Sequence, residues 1–133
     1  MKKRLVMIIN LLPIVYYIVS FYMSYKNAIP DNYIGFIITV FLFFVSPVIF
    51  TLFNANFSDT AERFALQNTV YGFSKIIGQF LDFVLYHDYI SNDSESEMLS
   101  EIGLLFTVIY ILILTLVFYA IKRSDIKHRE NRK

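Results

Sequence analysis

The chain has 133 residues, of which 56% are hydrophobic and only 17% charged, with a net charge of +1; a soluble domain carries about 25% charged residues. Its mean hydropathy is +0.53. Cysteine is absent, which excludes disulfides, thiol catalysis and thiolate metal sites, and tryptophan is absent too, leaving Tyr and Phe as interfacial aromatics.

Four apolar segments are expected. The first runs over 5–23, behind Lys2, Lys3 and Arg4, and contains Asn10 and Pro13. It imitates a secretory signal but exceeds the usual 7–15-residue apolar core, and no Ala-x-Ala-like site follows; an uncleaved span is expected. The connection Tyr25 to Asn32 holds Pro30 and Asp31, which suit a turn and a helix start. The second span covers 33–53, where Ser46-Pro47 should bend the helix because proline lacks a backbone donor. The polar stretch Asn54 to Arg63 offers Ser58, Asp59 and Thr60 as caps for the next helix.

The third segment, 64–86, is of spanning length yet contains Asn68, Lys75, Gln79 and Asp82. At 100° per residue these fall on one narrow arc, with Gly72 and Tyr86 close by. Leu66, Val70, Phe73, Ile77, Phe80, Leu81 and Val84 make the opposite face. Such a helix either crosses the membrane with its polar stripe turned inward or lies at the interface. Ser74 and Gly78 form a small-xxx-small pair suited to close helix approach. The fourth span, 102–121, has no charged side chain and is followed at once by a basic tail, 122–133. Twenty helical residues reach roughly 30 Å, the hydrocarbon thickness of a bilayer.

Basic residues near span ends favour the cytoplasmic side. With four spans and both termini cytoplasmic, ten loop and tail cations lie inside and only Lys26 lies outside, with Lys75 in the membrane. The expectation is an all-α integral membrane helical bundle of four transmembrane helices, residues 1–133 forming one membrane domain. The Ile-, Phe-, Tyr-, Asn- and Lys-rich composition suggests an AT-rich bacterial genome and hence the bacterial cytoplasmic (plasma) membrane.

Little in the chain points to chemistry. Asn68, Lys75, Gln79 and Asp82 form an intramembrane polar seam, read either as packing glue or as the lining of a substrate, proton or ion path. His87 and Asp88 lack a third partner at ligand spacing. The acidic stretch Asp88 to Glu101 (Asp88, Asp93, Glu95, Glu97, Glu101) lacks the glycine and oxygen spacing of a calcium loop and reads as a solvated loop. No phosphate loop, zinc motif or nucleophilic triad can be assembled. No catalytic, cofactor-binding or metal-binding residue is assigned, no cofactor is expected, and the chain is expected not to be an enzyme. The basic tail suits anionic lipid headgroups; a nucleic-acid partner is not expected.

The layout of the chain resembles the Msa family of small staphylococcal membrane proteins. The resemblance rests on the uncharged early pair of spans, the aromatic third helix ending in Phe80-Leu-Asp-Phe-Val-Leu-Tyr-His-Asp-Tyr, the acidic stretch, and a last span closing with Phe118-Tyr-Ala-Ile-Lys-Arg before a basic tail. Those proteins modulate expression of a global virulence regulator, so the resemblance implies a non-catalytic regulatory or signalling accessory that works through a membrane or cytoplasmic protein partner. It carries no functional residue over. Two other readings fit the layout: a subunit of a small oligomeric transporter or channel, lined by Lys75, Gln79 and Asp82 and needing a homo-oligomer to enclose a path, or a bacteriocin-immunity or holin-like protein.

Overall fold

The computed structural model describes residues 2–26, 37–38, 40–89 and 94–132. The described residues are all-helical, without a strand. Helix α1 (Lys3–Ile9) and helix α2 (Leu12–Tyr25) form a first, broken rod. A π-helical turn, Phe41–Val45, runs directly into α3 (Ser46–Asn56). Helix α4 (Ala61–Tyr89) and helix α5 (Ser94–Asn131) complete the bundle, and α4 packs against each of the others.

Both early rods are interrupted at prolines, for the same reason. Pro13 cannot donate to the carbonyl one turn before it, so the chain passes through a turn at Asn10 and Leu11, where Leu11 N–H bonds the Ile8 carbonyl at 3.0 Å. The expected first span is thus one rod in two pieces. In the second rod, the bend expected at Pro47 takes the form of the π turn just before it. Ser46, beside the proline, bonds tyrosine hydroxyls of other helices. The expected connection at Pro30 and Asp31 and the start of the second span lie outside the described residues.

The link between α3 and α4 is short and closed by side chains. Thr60, among the expected caps, accepts the Arg63 N–H at 3.0 Å. Lys122 of α5 donates to the Ala55 carbonyl at 2.6 Å, covering one of the orphan carbonyls at the end of α3. Gln67 reaches back to the Phe57 carbonyl at 3.4 Å.

Two boundaries differ from expectation. The acidic stretch is a loop only in part: α4 extends to Tyr89 and α5 begins at Ser94, while residues 90–93 are outside the described set. The basic tail is the continuation of α5, which has 38 residues and a length of about 57 Å. Its last turns are exposed and carry an Asp125–Arg129 ion pair one turn apart at 3.1 Å.

Burial runs opposite to that of a soluble bundle. Asn10, Ser46, Thr51, Asn54, Gln67, Asn68, Ser74, Lys75 and Thr107 are buried, while Phe73, Leu105 and Leu116 are at least 60% exposed. Two helical stretches, Lys3–Met23 and Glu101–Asn131, are long and apolar enough to cross a membrane. The apolar exterior of α4 includes Leu66, Phe73, Ile77, Phe80 and Leu81, all exposed as its sequence face suggests. Val70 and Val84, expected on the same face, are half-buried.

Candidate functional site

The stripe on α4 faces inward and becomes the spine of three polar layers. The first layer takes one side chain from each rod. Asn10 and Asn54 exchange a reciprocal pair of amide bonds at 2.8 and 2.9 Å. Asn54 also donates to Asn68 Oδ1 at 3.2 Å. Asn68 donates to Thr115 Oγ1 at 2.7 Å, and Thr115 donates to the Ile111 carbonyl of its own helix at 2.7 Å. All three asparagines are fully buried, so their amides depend on one another, on the Val6 carbonyl that Asn10 also reaches at 3.0 Å, and on Thr115 for their partners.

The second layer joins α2, α3 and α4. Ser46 Oγ lies 3.1 Å from Tyr16 OH and 3.4 Å from Tyr71 OH. The Tyr71 ring stacks on Phe50 with centroids 4.5 Å apart.

Lys75 makes the third layer. It is fully buried, and its ammonium donates to Tyr17 OH and to the Leu42 carbonyl, each at 2.9 Å. The need for a donor at Leu42 follows from the π turn. Ser46 N–H bonds the Phe41 carbonyl, five residues back, rather than that of Leu42. In this register the Leu42 carbonyl would take the N–H of residue 47, but residue 47 is proline. Register and proline together orphan that carbonyl, and Lys75 supplies the missing donor. Tyr110 OH similarly donates to the Phe44 carbonyl at 2.8 Å. The rings of Tyr17 and Phe43 flank the ammonium, with centroids 5.3 and 5.5 Å from Nζ.

Close packing at this level depends on glycine. A Cβ on Gly78 would lie 2.8 Å from Tyr17 Cδ2 and 2.9 Å from the Pro13 carbonyl oxygen. The small pair expected at Ser74 and Gly78 is accordingly buried, with Gly78 tight against α2.

The structure thus brings Asn68 and Lys75 into the bundle but gives them separate partners. Gln79 and Asp82, farther along the same face, are half-buried. Among the described residues Lys75 has no carboxylate partner, and Gln79 Oε1 is buried without a hydrogen bond. Gly72, close to the stripe, faces Ile111, and the Tyr86 side chain lies outside the described set. His87 is half-buried with its ring 6.2 Å from that of Phe83, and no three His, Asp or Glu residues gather as a metal site among the described residues.

Asn54, Thr115, Tyr16 and Tyr17 were not singled out from sequence, and Asn10 was noted without a partner. A lone polar residue in or beside an apolar span is the signal that could have found Asn54 and Thr115; nothing local marks one tyrosine among ten. No family model, curated protein or solved structure matches the chain.

Proposed function

We propose that the chain is a four-span protein of the bacterial cytoplasmic membrane, with both termini cytoplasmic, acting without catalysis as a regulatory or signalling accessory through a protein partner. The observation that carries the membrane reading is the inverted burial: Lys75 and Asn68 inside, Phe73, Leu105 and Leu116 outside. In water this distribution would expose apolar surface on every face; in lipid it places each group in its preferred medium. The interfacial alternative for α4 is disfavoured because its polar side is taken up by α1, α2, α3 and α5 rather than left for headgroups.

The accessory role rests on the use made of the polar groups. Those from Asn68 to Lys75 are engaged in holding helices together, which supports packing glue over a continuous path. The cytoplasmic extension of α5 is then the part accessible to a partner, in line with the resemblance to the Msa proteins.

The topology is tested in this Cys-free chain by single cysteines at Ser94 and Ser124, labelled in intact cells with an impermeant thiol reagent. Ser94→Cys should label and Ser124→Cys should label only after lysis; the reverse pattern overturns the orientation. For the accessory role, a photo-crosslinker at Lys127 should yield one discrete protein adduct in membranes, lost when Arg123, Arg129 and Arg132 are replaced by glutamine; the absence of any protein adduct overturns it. Substrate flux in vesicles containing the purified protein alone would instead establish the transporter reading.

A further inference from the structure

The second rod adopts a register that its own backbone does not favour. A proline inside an α-helix leaves one carbonyl without a donor, that of the residue four positions before it. In a plain α register that carbonyl would belong to Phe43. The π register leaves two. Leu42 loses its donor to Pro47, and the return from five-residue to four-residue bonding skips one further acceptor just ahead of α3.

Both gaps are filled from outside the rod, and from different helices. Lys75 of α4 donates to the Leu42 carbonyl at 2.9 Å, and Tyr110 of α5 donates to the Phe44 carbonyl at 2.8 Å. The rings of the turn are seated on α5 as well. Phe43 stacks on Phe106 with centroids 5.4 Å apart, and Phe44 meets the same ring edge-on at 5.9 Å. Backbone bonding alone prefers the α register; the two side-chain donors reverse that preference.

We propose that the second rod is a two-state element whose register is selected jointly by Lys75 and Tyr110. With both donors in reach, the segment Phe41–Val45 holds the π turn. When α4 or α5 withdraws its donor, the segment closes into a continuous α register, with Phe43 as its one carbonyl lacking a backbone donor. The extra residue of the π turn is then absorbed. The part of the rod ahead of Ser46 turns by about 100° and moves about 1.5 Å relative to α3. A small displacement of α4 against α5 is thereby converted into a discrete rotation, as coupling through a bistable element requires. The switch needs no partner and no particular orientation in the membrane.

The test is double electron–electron resonance on the purified full chain in lipid nanodiscs, using introduced cysteines in this Cys-free sequence. One spin label replaces Ile38, ahead of the turn, and the other replaces Ile77 of α4 or Ile109 of α5, all three exposed. Two reference positions are used because a rotation can leave one distance unchanged. A 100° turn carries a side chain at a radius of about 5 Å through about 8 Å. Wild type should give one narrow distance for each pair. Lys75→Met and Tyr110→Phe should each add a second, discrete distance, shifted by up to about 8 Å in at least one pair. The double variant should make that second distance predominant. Identical distributions in all four proteins overturn the switch, and an effect of only one of the two substitutions overturns the joint selection. Broadening without a second peak overturns it too, because that is a loosened bundle and not a change of register. Should Lys75→Met not accumulate, Tyr110→Phe decides alone.

Discussion

Replacing Asn54 by leucine should be among the most damaging single changes in the bundle, although the substitution makes α3 more apolar. Asn54 takes part in three interhelical bonds, two with Asn10 and one with Asn68. Interhelical hydrogen bonds in membrane proteins average about 0.6 kcal/mol and reach about 1.7, so three are worth roughly 2–5 kcal/mol. The loss is not confined to the bonds themselves: Asn10 and Asn68 remain fully buried with amide groups facing a hydrocarbon side chain.

The decisive measurement is a double-mutant cycle. Asn10→Leu and Asn54→Leu, singly and together, are compared by reversible unfolding in mixed micelles of increasing sodium dodecyl sulfate fraction. Because the two residues share a reciprocal pair of bonds, the double variant should be less destabilised than the sum of the singles by about 1–3 kcal/mol. The double variant still strands Asn68, so full recovery of stability is not expected. Additivity within about 0.5 kcal/mol would mean that the two amides do not face each other, and the layered interior would lose its principal joint.

Three other comparisons probe the Lys75 layer and the close packing beside it. Lys75→Leu should destabilise the bundle, and adding Asp82→Leu should not rescue it, because Lys75 bonds Tyr17 and Leu42 rather than the aspartate; recovery in the double variant, seen as a restored unfolding midpoint, would reinstate a Lys75–Asp82 pair. Pro47→Ala should partly rescue Lys75→Met by about 1 kcal/mol, one backbone hydrogen bond, since it returns an N–H to the position that the Leu42 carbonyl addresses in the π register; the same midpoint in both backgrounds would refute the orphaned-carbonyl account. Gly78→Ala should cost roughly 1–3 kcal/mol through overpacking against Tyr17 and the Pro13 carbonyl, whereas Gly103→Ala, whose Cβ would sit 3.7 Å from Phe43, should be tolerated; equal stability of the two variants would argue against the close approach of α2 to α4.

The helical content and the inward turn of Asn68 and Lys75 were legible in the sequence, because period and charge cost are local quantities. The partners were not. Periodicity shows that Lys75 must face something, but its acceptors are 58 and 33 positions away, and the nearer acid, Asp82, is a misleading choice because helix rise separates it from the ammonium. The π turn was hidden for a related reason. Pro47 signals a bend, yet whether the bend becomes a kink or a register shift depends on whether some other helix can serve the freed carbonyl, and that donor is known only once Lys75 is in place. Asn54 was assigned to a connection by its polarity, when its position four residues before Ser58 leaves it on the last buried turn of α3.

These particulars bear on the choice between a path and a packing device. A path through the bundle needs polar groups that can exchange partners with a moving ligand. From Asn10 to Thr115 the amides and hydroxyls are committed to one another, and Tyr16, Ser46 and Tyr71 form a further joint. Among the described residues, buried polar atoms without partners remain on both sides of Lys75, at Thr51, Arg63 and Gln67 as well as at Gln79 and Thr107. They are scattered and not strung into a line: along α4, Gln67 and Gln79 stand about 18 Å of helix rise apart, with the committed Asn68, Tyr71 and Lys75 between them. That arrangement suits a packing device better than a conduit, and Lys75 is central to it, because its ammonium holds both the Tyr17 hydroxyl of α2 and the Leu42 carbonyl that the π turn and Pro47 leave without a backbone donor.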